Sequence, residues 1–81
     1  MKATQFQGAK NQIVIEDKGE RIFQSYESII VKIKAGKVTL GRHWNYSVTT
    51  TKYRNMFLGE TTKETQAKID SGEYVVDDNL L

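Results

Sequence analysis

The sequence predicts an α+β domain: about four antiparallel strands arranged as hairpins or a meander, followed by two short helices, with a final edge strand left open at Tyr74-Val75-Val76. Three observations carry this. β-Branched runs broken by glycine turns occupy residues 13–40, as hairpins require. The apolar period changes after Trp44, where Tyr53, Met56 and Phe57 fall at i, i+3 and i+4. Thr61 and Glu64 stand three apart ahead of a further polar segment, the pattern of a capping box.

Each element follows from its residues. Ile13-Val14-Ile15 reads as a strand, Lys18-Gly19 as a two-residue turn and Arg21-Ile22-Phe23-Gln24 as the return. That register sets Glu16 beside Arg21, Ile15 beside Ile22 and Val14 beside Phe23, so charge meets charge and apolar meets apolar. Ser28 to Lys34 alternates, with Ile29, Val31 and Ile33 expected inward and Ile30, Lys32 and Lys34 outward. A turn at Ala35-Gly36 places Val31 beside Leu40 and Ile33 beside Val38; moving the loop by one residue leaves the same set on the same face. Ile29, Val31, Ile33, Val38 and Leu40 are therefore expected in the core with Tyr53 and Phe57. Ser47 or Thr49 can cap the first helix, and Gly59 stands where a left-handed residue ends one. The second helix runs from Thr61 to Ser71-Gly72, is mostly solvated, and carries Glu64 and Lys68 as an i, i+4 pair.

Composition bounds the rest. Eighty-one residues make one domain, read as 1–76 with an acidic tail at 77–81. With no cysteine in the chain, disulfides and thiolate metal sites are excluded. Ile29-Ile30-Val31 is the longest aliphatic run, far short of the ~20 residues that span a bilayer. The first residues lack the apolar stretch of a signal peptide, so the expected location is the cytoplasm, that of the host cell if a phage encodes the chain. The net charge of +2 hides a segregation: residues 28–59 hold Lys32, Lys34, Lys37, Arg42, Lys52 and Arg54 and no acid, whereas residues 60–81 hold six acids and two bases. Such asymmetry predicts a basic surface and an acidic one on a small body.

Catalysis finds little support. His43 is the single histidine, Glu16-Asp17 and Asp77-Asp78 sit in a turn and a tail, and no glycine-rich phosphate loop is present. The expectation is a non-enzyme without metal or cofactor. Two binding features stand out. Lys32, Lys34 and Lys37 on one ribbon can meet phosphates, although lysines there also serve to keep a sheet face soluble. Arg42, Trp44, Tyr46, Thr49, Thr50, Thr51, Lys52 and Arg54 gather bases, aromatics and hydroxyls at a helix start, where unpaired amides attract anions. Trp44 is as readily a core residue, because a small core needs its largest side chain, and a single hydroxyl suffices for a cap. Lys52 and Arg54 flank the buried stripe about 100° to either side. Both are expected in solvent, so that replacing both with glutamate leaves the melting temperature nearly unchanged.

The segment Trp44-Asn45-Tyr46-Ser47-Val48-Thr49-Thr50-Thr51-Lys52-Tyr53-Arg54-Asn55-Met56-Phe57-Leu58-Gly59, with the Ser25-Tyr26 strand before it and Thr61, Glu64, Ile69, Gly72, Glu73 and Tyr74 after it, resembles a small uncharacterised family of phage and bacterial proteins. The resemblance covers residues 25–75 and leaves residues 1–24 outside. It implies a phage or mobile-element origin and carries no activity. Two expectations result: a phage accessory protein that binds DNA or RNA through a basic face at residues 32–54, or a protein-binding inhibitor or adaptor such as an anti-defence or host-takeover factor. In the second, the acidic C-terminal third mimics nucleic acid, or Trp44 and Tyr46 anchor a protein interface.

Overall fold

Three two-residue turns, each opened by a residue with positive φ, lay down the sheet. The computed structural model describes residues 2–6, 10–45, 47–77 and 80; Tyr46 and Asp78 lie outside the described residues. Strands β1 (Lys2–Gln5), β2 (Gln12–Asp17), β3 (Glu20–Ser25), β4 (Ser28–Lys34) and β5 (Lys37–Gly41) form an antiparallel meander. Helices α1 (Val48–Leu58) and α2 (Thr62–Asp70) follow, and β6 (Tyr74–Asp77) returns parallel to β5 at the far edge. A parallel return needs a crossover of a dozen or more residues, which the two helices supply.

The fold class is α+β, but the sheet has six strands in sequential order rather than about four. The strand that pattern reading misses outright is β1. Lys2, Ala3, Thr4 and Gln5 are all exposed and show no apolar alternation; the edge of β2 alone templates them. Both hairpins take the expected register. Val14 pairs with Phe23, Ile15 with Ile22 and Glu16 with Arg21, while Val31 pairs with Leu40 and Ile33 with Val38. Lys18 and Gly19 have φ of 47° and 86°, and Ala35 and Gly36 have 53° and 77°. These doubly left-handed turns match the twist of the strands they join.

In β4 the expected alternation fails midway. Phe23 pairs with Val31, but the next residue, Gln24, pairs with Ile29, so Ile30 is an extra residue in a bulge. Ile30 therefore enters the core at 1 % exposure beside Val31, and Ile29 turns to the opposite face, the reverse of the sequence expectation. Gly41 is the residue that permits this: a Cβ there would lie 2.1 Å from the carbonyl oxygen of Ile29.

Both helices pack on one face of the sheet. Val14, Phe23, Ile30, Val31, Leu40, Phe57 and Tyr74 form the buried core, with Phe6, Ile33, Val38, Trp44, Tyr53, Leu58 and Ile69 packed around it. Phe23 stacks on Phe57 at 5.6 Å, and Phe6 closes edge-on against both. Ser47 caps α1 by accepting from the Thr50 amide, Gly59 ends it at φ 71°, and Thr61 and Glu64 complete the capping box of α2. The inward stripe of α1 is Thr50, Arg54 and Phe57. Met56, expected in that stripe, is 44 % exposed.

Gly41→Ala should lower stability by about 2 kcal/mol or more, because its new methyl meets backbone that cannot rotate away. Val31→Ala, which leaves a cavity, should cost about 2–4 kcal/mol. Denaturant titration of the purified variants measures both.

Candidate interaction surface

Paired residues on neighbouring strands share a face, so the register maps the side of the sheet turned away from the helices. Its middle row reads Ala3, Ile15, Ile22, Lys32, Thr39 and Val75 from β1 to β6. One row nearer the hairpin turns stand Asp17, Glu20, Lys34 and Lys37, and on the other side stand Gln5, Ile13, Gln24 and Ile29. None of Ile13, Ile15, Ile22 and Ile29 belongs to the core or to the residues packed against it. Leu80 lies over the β4–β5 half, beside Lys32 and Thr39. The aliphatic half on β1–β3 faces away from both helices.

This geometry divides the basic block. Lys32, Lys34 and Lys37 do share a face, as expected, but acids stand with them. Glu20 bridges Lys34 at 3.3 Å and Lys32 at 3.7 Å; Asp17 and Asp77 fall on the same side by register. The segment from 28 to 59 is acid-free in sequence and not in space, because β3 lies beside β4.

At the start of α1, the hydroxyls are spent on structure. Thr50 is 3 % exposed and its Oγ1 lies 2.9 Å from Ser25 Oγ on β3. Thr51 donates to Asn45 Oδ1 at 3.2 Å, and Thr49 is exposed. Ser47 and Thr49 line a cleft of about 430 Å³ with Ser25, Tyr26, Ser28, Ile30, His43 and Thr50. Lys52 is exposed, with its ammonium 5.5 Å from the Tyr53 ring centre, and Arg42 is exposed on the preceding turn. Trp44 is half-buried against the core, the alternative the sequence left open.

Arg54 overturns its expectation. It is 0 % exposed. Its guanidinium lies 4.9 Å from the Trp44 ring centre, donates to the Trp44 carbonyl, and reaches Asn55 Oδ1 at 2.9 Å and Thr62 Oγ1 at 2.8 Å. Its place about 100° round the helix from Tyr53 predicts solvent; it is buried instead because the Trp44 carbonyl, the side chains of Asn45, Asn55 and Thr62 and the Trp44 ring surround it. Burial lowers its pKa, and the charge of Glu60 works against that.

Glu60, between the helices, is the second buried charge, with a side chain 4 % exposed. Lys68 Nζ lies 2.7 Å from Oε2, while Tyr74 and Thr65 donate to Oε1 at 2.8 and 3.1 Å. Burial acts to raise its pKa, but the hydrogen bonds from Lys68, Tyr74 and Thr65 and the lysine charge outweigh it and hold the carboxyl below its ordinary range. The Glu60 hydrogen bond raises Lys68 in turn, and burial, with Glu60, raises Tyr74. One carboxylate thereby ties the α1–α2 turn to α2 and to β6. No sequence pattern marked it.

Among the described residues no group of three or more His, Asp or Glu side chains could hold a metal ion, and no helix is long and apolar enough to cross a membrane. A small mixed sheet with two helices on one face and a partly aliphatic second face defines the class of this protein. The chain belongs to a family of unknown function (DUF8033), whose model matches residues 1–73. The match includes β1 to β3, which the sequence resemblance left out. No curated protein and no solved structure matches the chain.

The depressed Glu60 pKa fixes the sign of a pH effect. Its contribution is fully present above the unfolded glutamate value of about 4.3 and is lost as pH falls through the lower folded value. The wild-type melting temperature should therefore drop on acidification below about pH 4, and Glu60→Gln should be less stable at neutral pH with a flatter acid limb; thermal melts at several pH values measure both. Lys52→Glu should leave the melting temperature near wild type, since exposed charges contribute little, whereas Arg54→Glu should fail to fold.

Proposed function

We propose that this is a non-catalytic binding protein that docks another protein on the face of the sheet opposite the helices. The observation that carries the reading is the Ile15–Ile22 pair, flanked by Ala3 and Ile13, on a face that neither helix covers. A half-solvated antiparallel sheet alternates apolar inside with polar outside. Strands β2 and β3 instead carry aliphatic side chains on both faces, and the half-buried Ile13, Ile15, Ile22 and Ile29 gather on the outer one, an aliphatic patch of the kind that supports an interaction site.

Of the two sequence expectations, the geometry favours the inhibitor or adaptor over the nucleic-acid binder. A phosphate-binding surface needs an uncompensated stripe of bases. Lys32 and Lys34 share Glu20, Asp17 and Asp77 lie on their side of the sheet, and Arg54 is buried among neutral acceptors. Arg42 and Lys52 remain exposed in the basic block, away from that ribbon. The resemblance to phage and mobile-element proteins points the partner toward a host or defence protein.

The test immobilises wild type and Ile22→Ser on separate resins and exposes both to nuclease-treated host lysate. Wild type should retain a specific protein in the presence of nuclease, and Ile22→Ser should lose it while keeping its fold by circular dichroism. Retention of DNA or RNA by wild type with affinity that falls steeply as salt rises would replace this reading with the nucleic-acid one.

A further inference from the structure

Resting on that reading of the outer face, we infer that one occupant of it is a second copy of this chain, related by a two-fold axis that runs parallel to the strands between β3 and β4. The row Asp17, Glu20, Lys34, Lys37 crosses four adjacent strands with both acids on one half and both bases on the other. A two-fold parallel to the strands keeps this row at its own height and reverses its order. Glu20 then faces the partner's Lys34, and Asp17 faces the partner's Lys37, twice over by symmetry. A two-fold across the strands sets the charged row against Gln5, Ile13, Gln24 and Ile29 instead, so that no acid of this row meets a base of the other copy.

The same operation handles the aliphatic residues. The β1–β3 half, with Ile15 and Ile22, meets the β4–β6 half of the other copy. There Lys32 offers its hydrocarbon stem to Ile22, and Thr39, with Leu80 beside it, faces Ile15. Two like faces stacked in this way form a sandwich with closely aligned strands.

Area sets the strength. Six strands about 4.8 Å apart and roughly five residues long at ~3.3 Å each make a flat face of about 400 Å², half of the ~800 Å² per partner in a standard interface. The dimer is consequently dynamic and populated at high concentration, and it competes with a foreign protein for the same face.

Charge swapping tests the axis. Sedimentation velocity on the purified chain up to millimolar concentration should show a concentration-dependent dimer. Glu20→Lys sets lysine against the partner's Lys34, and Lys34→Glu sets glutamate against the partner's Glu20. Each variant alone should shift half-association upward by about tenfold or more, and each should keep its fold by circular dichroism. An equimolar mixture of the two should dimerise again, since each repulsive pair becomes an attractive one. Single variants that associate like wild type, or a mixture that stays monomeric, overturn the axis. Monomeric wild type at millimolar concentration overturns the self-association; if Ile22→Ser still abolishes lysate capture, the docking face survives that failure, and if capture is unaffected, the face itself falls.

Discussion

Side chains alternate along a strand, so a run such as Ile13-Val14-Ile15 cannot turn all of its aliphatic groups to one side. This constraint governs the molecule. Val14 and Phe23 go inward beneath the helices, and Ile13, Ile15 and Ile22 go outward. Two helices of eleven and nine residues cover one face of a six-stranded sheet and have nothing left for the other. The outer face combines an aliphatic half with a charged row, and the proposed docking rests on that mixture.

The inner layer is held differently. Thr50 and Arg54 occupy the inward stripe of α1, so apolar burial alone does not seat that helix. Arg54 binds the turn that precedes α1 to the first residue of α2, and Glu60 binds the turn between the helices to β6. Removing a partner from such a buried group leaves the other unsatisfied, which costs more than the bond itself contributes. These two charges make the helix layer a specific structure with few degrees of freedom. They also withdraw Arg54 from any role in binding, although its sequence neighbourhood of aromatics, threonines and bases reads as an anion site.

Local patterns made much of this fold legible. Both hairpin registers, the caps Ser47, Thr61 and Gly59 and the return at Tyr74 follow from residues within a few positions of each other. What failed to show depends on distant chain. β1 has no pattern of its own and exists because β2 offers an edge. The bulge at Ile30 arises where β4 must serve β3 and the close approach of Gly41 at once. Glu20 neutralises a lysine ribbon that is acid-free when counted along the sequence. The outer aliphatic face was visible as Ile13-Val14-Ile15 and Ile22-Phe23, but its meaning depended on knowing that both helices pack on the same side.

Water contact at the outer face is the central claim, and methyl NMR of dilute protein with a soluble paramagnetic agent measures it residue by residue. The methyl groups of Ile15 and Ile22 should relax strongly and those of Ile30 and Val31 hardly at all, since the first pair faces outward and the second is buried. Ile15 and Ile22 shielded as fully as Ile30 in the dilute monomer would mean that the chain covers its own second face, and the docking account would be wrong.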